Sequence, residues 1–200
     1  YAFLNQPKII KWNIARFAEC IIPFIDNDKD KAVEIATETI NTFEEIYQKK
    51  WLNMMRDKLG LFGEDINDQT LIKDLLTWMH KNKADYTNTF CFLMNEEFSF
   101  NKKYNNEDFL IWRKRWGNRL KLHNNTQEKY LRLMHSTNPL VIPRNHKVEE
   151  ALQAASNGDI KLFDDVIKIL KRPYDKQENT IEFQNPNPKG NVNYQTFCGT

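Results

Sequence analysis

Residues 28–59 read "DKDKAVEIATETINTFEEIYQKKWLNMMRDKL", and this run decides the fold. Val33, Ala36, Ile40, Phe43, Tyr47, Trp51 and Met54 follow one another at steps of three and four residues. An α-helix turns once in about 3.6 residues, so that spacing draws one apolar stripe down a single helix. Asp28 and Asp30 sit where the helix dipole is positive, Arg56 and Lys58 where it is negative. Gly60 follows, free to take the left-handed conformation in which many helices end. The spacing predicts a helix from Asp28 toward Leu59, with Ile40, Phe43 and Trp51 as core residues.

The same period continues on both sides. Upstream, "QPKIIKWNIARFAECIIPFI" places Ile10, Ile14, Phe17 and Ile21 on one face, with Pro7 in the first turn and Pro23 expected to end or kink the helix. Downstream, a third helix begins near Asp68 and carries Leu71, Leu75, Trp78 and Met79, and a short fourth, "DYTNTFCFLM", begins after Asp85. The polar loop "NKKYNNED" leads to a fifth with Phe109, Trp112, Trp116 and Leu120 on one stripe, and Thr126 caps a sixth. "NPLVIPRNH" reads as an extended connector, followed by a helical hairpin over about 145–157 and 159–171 that turns at Gly158 and Asp159. Val148, Ala151 and Ala155 are expected to face Phe163, Val166 and Leu170. From Pro173 the text turns to proline and asparagine with no helical period, which predicts a tail that is either disordered or laid in extended form across another surface. With no alternating strand pattern, the expected class is all-α: a helical region over 1–143, a hairpin over 144–172 and a tail over 173–200.

Composition removes several function classes. Net charge is +2, from 29 basic and 27 acidic residues, so nothing calls for a nucleic-acid or anionic-membrane partner. No stretch approaches the roughly 20 apolar residues of a membrane span. Three cysteines close no disulfide framework and favour a reducing compartment. Cys20 and Cys91 have apolar neighbours, which predicts buried thiols, whereas Cys198 stands among Thr196, Phe197, Gly199 and Thr200. None of the six glycines begins a phosphate-binding loop. "DNDKDK" and "DINDQT" alternate acids as calcium loops do, but lack the glycine at position six and the glutamate at position twelve, and are expected to cap helices. His80, His123, His135 and His146 are dispersed and suggest no metal centre. "WRKRWGNRLKL" (112–122) mixes cations with tryptophans, as single-strand binders do. Trp112 and Trp116 fall on the helix's own apolar stripe, so the residues read as core tryptophans beside a solvated basic face. Taken alone, the residues describe a helical scaffold without a catalytic, cofactor-binding or metal-binding constellation.

A resemblance adds to this. "YAFLNQPKIIKWNIARFAECIIPFI" resembles the run "RYAxxNQPxIxxWNLxRLAExLLPLI" of the selenoprotein O (SelO) family. "KWLNMMRDKLGL", "ADYTNTF", "NPLVIPRNHKVEEALQAASNGDIKLFDDVIKILKRPYD" and the terminal "FCGT" resemble its later landmarks in the same order. The resemblance implies a protein-kinase-like (pseudokinase) fold that binds ATP with magnesium and transfers AMP to hydroxyl side chains of proteins, that is, a protein adenylyltransferase. In that family the nucleotide and metal ligands precede this segment, and a metal-binding "DYG" lies shortly before it. The resemblance therefore implies a C-terminal portion that supports the active site, binds neither ATP nor magnesium, and is inactive alone. Its expected partners are the N-terminal catalytic half of the same protein and protein substrates, with no nucleic acid and no membrane. The implied location is cytoplasmic for a bacterial member and mitochondrial for a eukaryotic one. One functional position transfers residue for residue: Cys198, the family's redox-active position, whose partner thiol is expected upstream of Tyr1. Gly199 and Thr200 stand where serines often follow that cysteine. The alternative reading is a non-catalytic helical protein-binding module built on the hairpin at 145–171, and a third is nucleic-acid binding through 112–121.

Overall fold

The computed structural model describes residues 5–94, 102–123, 125–187 and 190, and all regular structure among them is helical. The elements are α1 (Gln6–Ile25), α2 (Lys29–Lys58), α3 (Asp68–Lys81), α4 (Tyr86–Met94), a 3-10 turn (Lys102–Asn105), α5 (Glu107–Leu120), α6 (Gln127–Thr137), α7 (Asn145–Ser156), α8 (Lys161–Leu170) and α9 (Thr180–Gln184). The chain divides into two compact units, Tyr1–Met54 and Met55–Thr200, with the division inside α2.

In the first unit the acids cap as their positions predict. The Asp28 carboxylate accepts from the backbone N–H groups of Asp30 and Lys31 at 3.0 and 3.3 Å, and Asp26 accepts from that of Asp28 at 3.0 Å. Pro23 lies inside α1, which ends two residues beyond it at Ile25. Two expectations fail in this unit, the burial of Cys20 and the core places of Ile40, Phe43 and Trp51. α1 buries no residue, and Phe17 is 65% exposed. Cys20 is exposed as well, because the apolar neighbours that suggested burial are themselves uncovered. On the part of α2 in this unit, Ile40, Phe43 and Trp51 are half-buried and only Ala32 and Ala36 are buried. Periodicity finds a stripe; it cannot say what lies over it.

The second unit has a dense core. α2 ends at Lys58, and Gly60 takes φ +68° while the Leu61 N–H reaches back to the Arg56 carbonyl at 2.9 Å. The α5 stripe is as predicted: Phe109, Trp112, Trp116 and Leu120 are buried, against a buried α3 face of Leu71, Leu75, Trp78 and Met79. The indoles of Trp112 and Trp116 stack at 5.9 Å and donate to the carbonyls of Leu71 and Leu59 at 2.8 and 2.9 Å. Phe92 stacks on Tyr104 at 4.0 Å beside them. Thr126 caps α6 through the Lys129 N–H.

The α7–α8 hairpin turns at Gly158, φ +89°. A second cluster gathers there: Val141, Ala151, Val166, Ile169 and Phe183, with Leu140, Leu162 and Leu170 against them. Phe163 is 38% exposed, and Ile169 takes the inward place expected of it. Phe183 arrives from α9, a helical turn inside the stretch expected to be extended. A single turn is too short to show a period, so the sequence hides it.

Candidate functional site

Three of the landmark segments meet. Arg144, at the N-cap of α7, lays its guanidinium on Asp85, the residue before α4, with Nη1 2.5 Å from Oδ2 and Nη2 2.9 Å from Oδ1. This is a two-pronged, charge-assisted contact, geometrically specific and stronger than a neutral pair. Arg144 Nη2 also donates to Asn88 Oδ1 at 3.3 Å and to the Gln184 carbonyl at 2.8 Å, and Asn88 Nδ2 donates to that same carbonyl at 3.2 Å. Asp85 is fixed in turn by its own helix, accepting from the Asn88 N–H at 2.8 Å and, through its carbonyl, from the Thr89 hydroxyl at 2.7 Å.

The end of α2 comes to the same place. The Lys58 ammonium lies 4.6 Å from the Phe90 ring centroid and 5.5 Å from that of Tyr86, with no carboxylate partner among the described residues. Burial lowers its pKa, and the neighbouring Cys91 opposes that in part. The Lys58 carbonyl accepts from Asn138 Nδ2 at 2.9 Å. Cys91 is buried as expected. Burial first, and Asp85 second, push its thiol up to about 11 against the opposing pull of Lys58 and Arg144. Such a thiol is a small hydrophobe and a poor nucleophile.

A second charged cluster escaped sequence reasoning. Asp68, the first residue of α3, is 1% exposed and accepts from Arg56 Nε at 2.7 Å, Arg119 Nε at 2.7 Å, Arg119 Nη2 at 3.1 Å and the Asp65 N–H at 3.0 Å. Burial works to raise this carboxyl, but the two arginines and the N–H outweigh it, and it titrates below the usual carboxylate range. Arg119 also donates to the carbonyls of Phe62 and Gly63 at 3.1 Å each. One signal was available: Arg119 lies three residues after Trp116 and seven after Trp112, on the buried stripe and not the solvated face. Elsewhere in the basic cluster, Arg115 pairs with Asp74 at 2.6 Å in an exposed contact.

These residues do not fit a magnesium–nucleotide site. Asp68 and Asp85 are each committed to arginines, and no group of three His, Cys, Asp or Glu side chains converges as metal ligands among the described residues. What the Arg144 clamp can do is mechanical: it ties α4, the start of α7 and the end of α9 to one point. Cys198, the one site residue expected from the sequence, lies outside the described residues, as do Tyr194 and Phe197.

The family model described as "Protein adenylyltransferase SelO" matches residues 1–171. The chain belongs to the SelO family. Among its relatives, a protein named "Protein nucleotidyltransferase YdiU" from Pelagibacter ubique is 55% identical over 200 residues, covering 100% of this chain and 41% of that protein. Proteins of the same name from Nitrosococcus oceani and Clostridium perfringens are 46% and 43% identical over 202 and 200 residues, again covering all of this chain and 41% of each of them. The SelO-family chain thus spans about two fifths of the length of the curated relatives it matches. No helix among its described residues is long and apolar enough to cross a membrane.

Proposed function

We propose that this SelO-family chain supplies the helical support of a protein adenylyltransferase, an enzyme that transfers AMP from ATP to hydroxyl side chains of proteins on a protein-kinase-like fold. In this reading the ATP and magnesium are held by residues outside the chain, in the N-terminal catalytic half that is its partner. The carrying observation is the clamp at Arg144, where two landmarks separated by tens of residues are joined through the Asp85 carboxylate while Asn138 ties the end of α2 beside them. A support of this kind acts by position: a displacement of about 1 Å at the reacting groups can cost on the order of a hundredfold in rate. The uncovered apolar side chains of α1, Ile10, Trp12, Phe17 and Phe24, are the proposed seat of that half.

The test uses the longer protein that contains this chain, labelled at the α-phosphate of ATP. Asp85→Asn keeps the shape of the clamp but removes its charge, and we expect AMP transfer to fall about tenfold or more, with the apparent affinity for ATP changing less than twofold. Unchanged transfer would refute the positioning role. Cys198 is the proposed redox position of the tail. Its test is activity across a graded glutathione potential, with and without Cys198→Ser. A wild-type activity that ignores potential would remove that role.

The alternative reading is a helical protein-binding module. The observation favouring it is the outer face of the hairpin, where Leu152, Ile160, Phe163 and Ile167 are exposed. It would be supported if substitutions there abolish capture of a protein substrate while leaving AMP transfer to a small acceptor peptide unchanged.

A further inference from the structure

Residues Pro173 to Gln184 run back over the hairpin as a strap, and its two ends are held very differently. At the near end several polar groups of the strap are paired. The Pro173 carbonyl accepts from the N–H groups of Leu140 and Val141 at 2.7 and 3.2 Å. Gln177 Nε2 donates to the carbonyls of Ile169 and Arg172 at 3.0 and 2.8 Å, closing the end of α8. The Gln177 N–H and carbonyl both meet the Thr180 hydroxyl, at 2.6 and 2.7 Å. At the far end, Phe183 is 4% exposed in the hairpin's apolar cluster, and the Gln184 carbonyl is gripped by Arg144 and Asn88. Yet the Gln184 side chain is 2% exposed with neither Oε1 nor Nε2 finding a partner among the described residues, and the same holds for Arg144 Nε.

A buried amide without partners is a standing cost of docking, since in water both of its polar atoms are solvated. The far end is therefore held against that cost by one aromatic ring, one shared carbonyl and a surface ion pair of Glu182 with Lys147 at 3.4 Å, and among the described residues the near end carries no such opposing term. We propose that the end of α9 is a releasable latch: the chain pivots at Thr180, which stays bonded to Gln177, residues 181–184 lift off together, and the α7–α8 hairpin stays folded beneath. Release withdraws the Gln184 carbonyl from Arg144 and Asn88, which uncovers a guanidinium Nη2 and an amide beside Asp85. Docking covers them again. The landmark clamp thus has a closed and an open form, switched by a segment of its own chain. The inference rests on residues 138–184 together with Asp85 and Asn88, and is independent of any redox role for Cys198.

Amide hydrogen exchange tests it. The Glu182 and Phe183 N–H groups, both bonded to the Asn179 carbonyl, report on the latch, and the N–H groups of α8 report on the hairpin. In the unsubstituted chain the latch amides should exchange at least about tenfold faster than those of α8, as a separate opening unit does. Gln184→Met keeps the length and the main-chain carbonyl but removes the orphaned amide. It should slow latch exchange roughly tenfold and leave α8 within twofold. Phe183→Ala should erase the latch's protection. Should that variant also loosen α8, the Gln184→Met comparison decides alone. The proposal is overturned if latch and α8 amides exchange at one common rate, or if Gln184→Met does not slow the latch relative to α8.

Discussion

Asp68 has almost no exposed surface and still carries its charge, because two arginines and a backbone N–H hold it. Removing one partner of a buried pair strands the others without water, so Asp68→Ala should destabilise the chain by about 3–5 kcal/mol. Asp74→Ala, which breaks the exposed contact with Arg115, should cost less than about 1 kcal/mol. Urea titration of both variants measures the contrast, and equal midpoints would contradict it. The sign of the pH effect follows from the depressed carboxyl. Asp68 contributes its stability above the unfolded carboxylate pKa and loses it as pH falls through the lower folded value, so the variant should show a shallower loss of stability in acid. The two described thiols differ as sharply. Cys20 is exposed, whereas Cys91 is buried with its thiol pushed up to about 11. Iodoacetamide at pH 8, read by peptide mass mapping, should label Cys20 quickly and Cys91 only after unfolding. Labelling of both at one rate would show that α4 opens readily. At this scale the sequence was a partial guide. It told that Cys91 is buried, but Cys20 has the same kind of neighbours, and only packing separates the two.

Among the elements, the glycines at the ends and middles of helices make opposite demands. Gly60 ends α2 at φ +68°, and a Cβ there would lie 3.0 Å from Met134 Cγ and Tyr130 Cβ. Gly60→Ala should therefore cost at least about 1–2 kcal/mol from the left-handed backbone alone. Gly117 lies inside α5 with nothing within 4 Å of a new Cβ, so Gly117→Ala should stabilise by about 0.5–1 kcal/mol. Thermal melts of the two variants should move in opposite directions, and a rise for Gly60→Ala would mean that α2 does not end as described. Most elements were legible in the sequence because their apolar stripes are long: four members on α5, seven along α2. α9 was not, since five residues cannot show a period and Phe183 is its one buried apolar side chain. The clamp was illegible for a related reason. Arg144 and Asp85 are far apart in sequence, and nothing local in either marks the other as its counterion.

For the molecule as a whole, the sequence reading was right about class and family and wrong about what is covered in the first unit. All regular structure among the described residues is helical, and the chain belongs to the SelO family. The stripe on α1 and the larger members of the α2 stripe are nonetheless exposed or half-covered. A period of three and four reports that a face wants burial, not which surface supplies it, and the chain spans only 41% of the length of its relatives. The central claim is that this portion positions catalytic groups and does not hold the nucleotide. Its most direct test is AMP transfer from α-labelled ATP to a protein acceptor, measured for this chain alone, with circular dichroism confirming that it is helical, beside the longer protein from Pelagibacter ubique to which it is similar. The account predicts background labelling from the helical chain and robust labelling from the longer protein. Magnesium-dependent labelling that tracks the amount of this chain alone would contradict it.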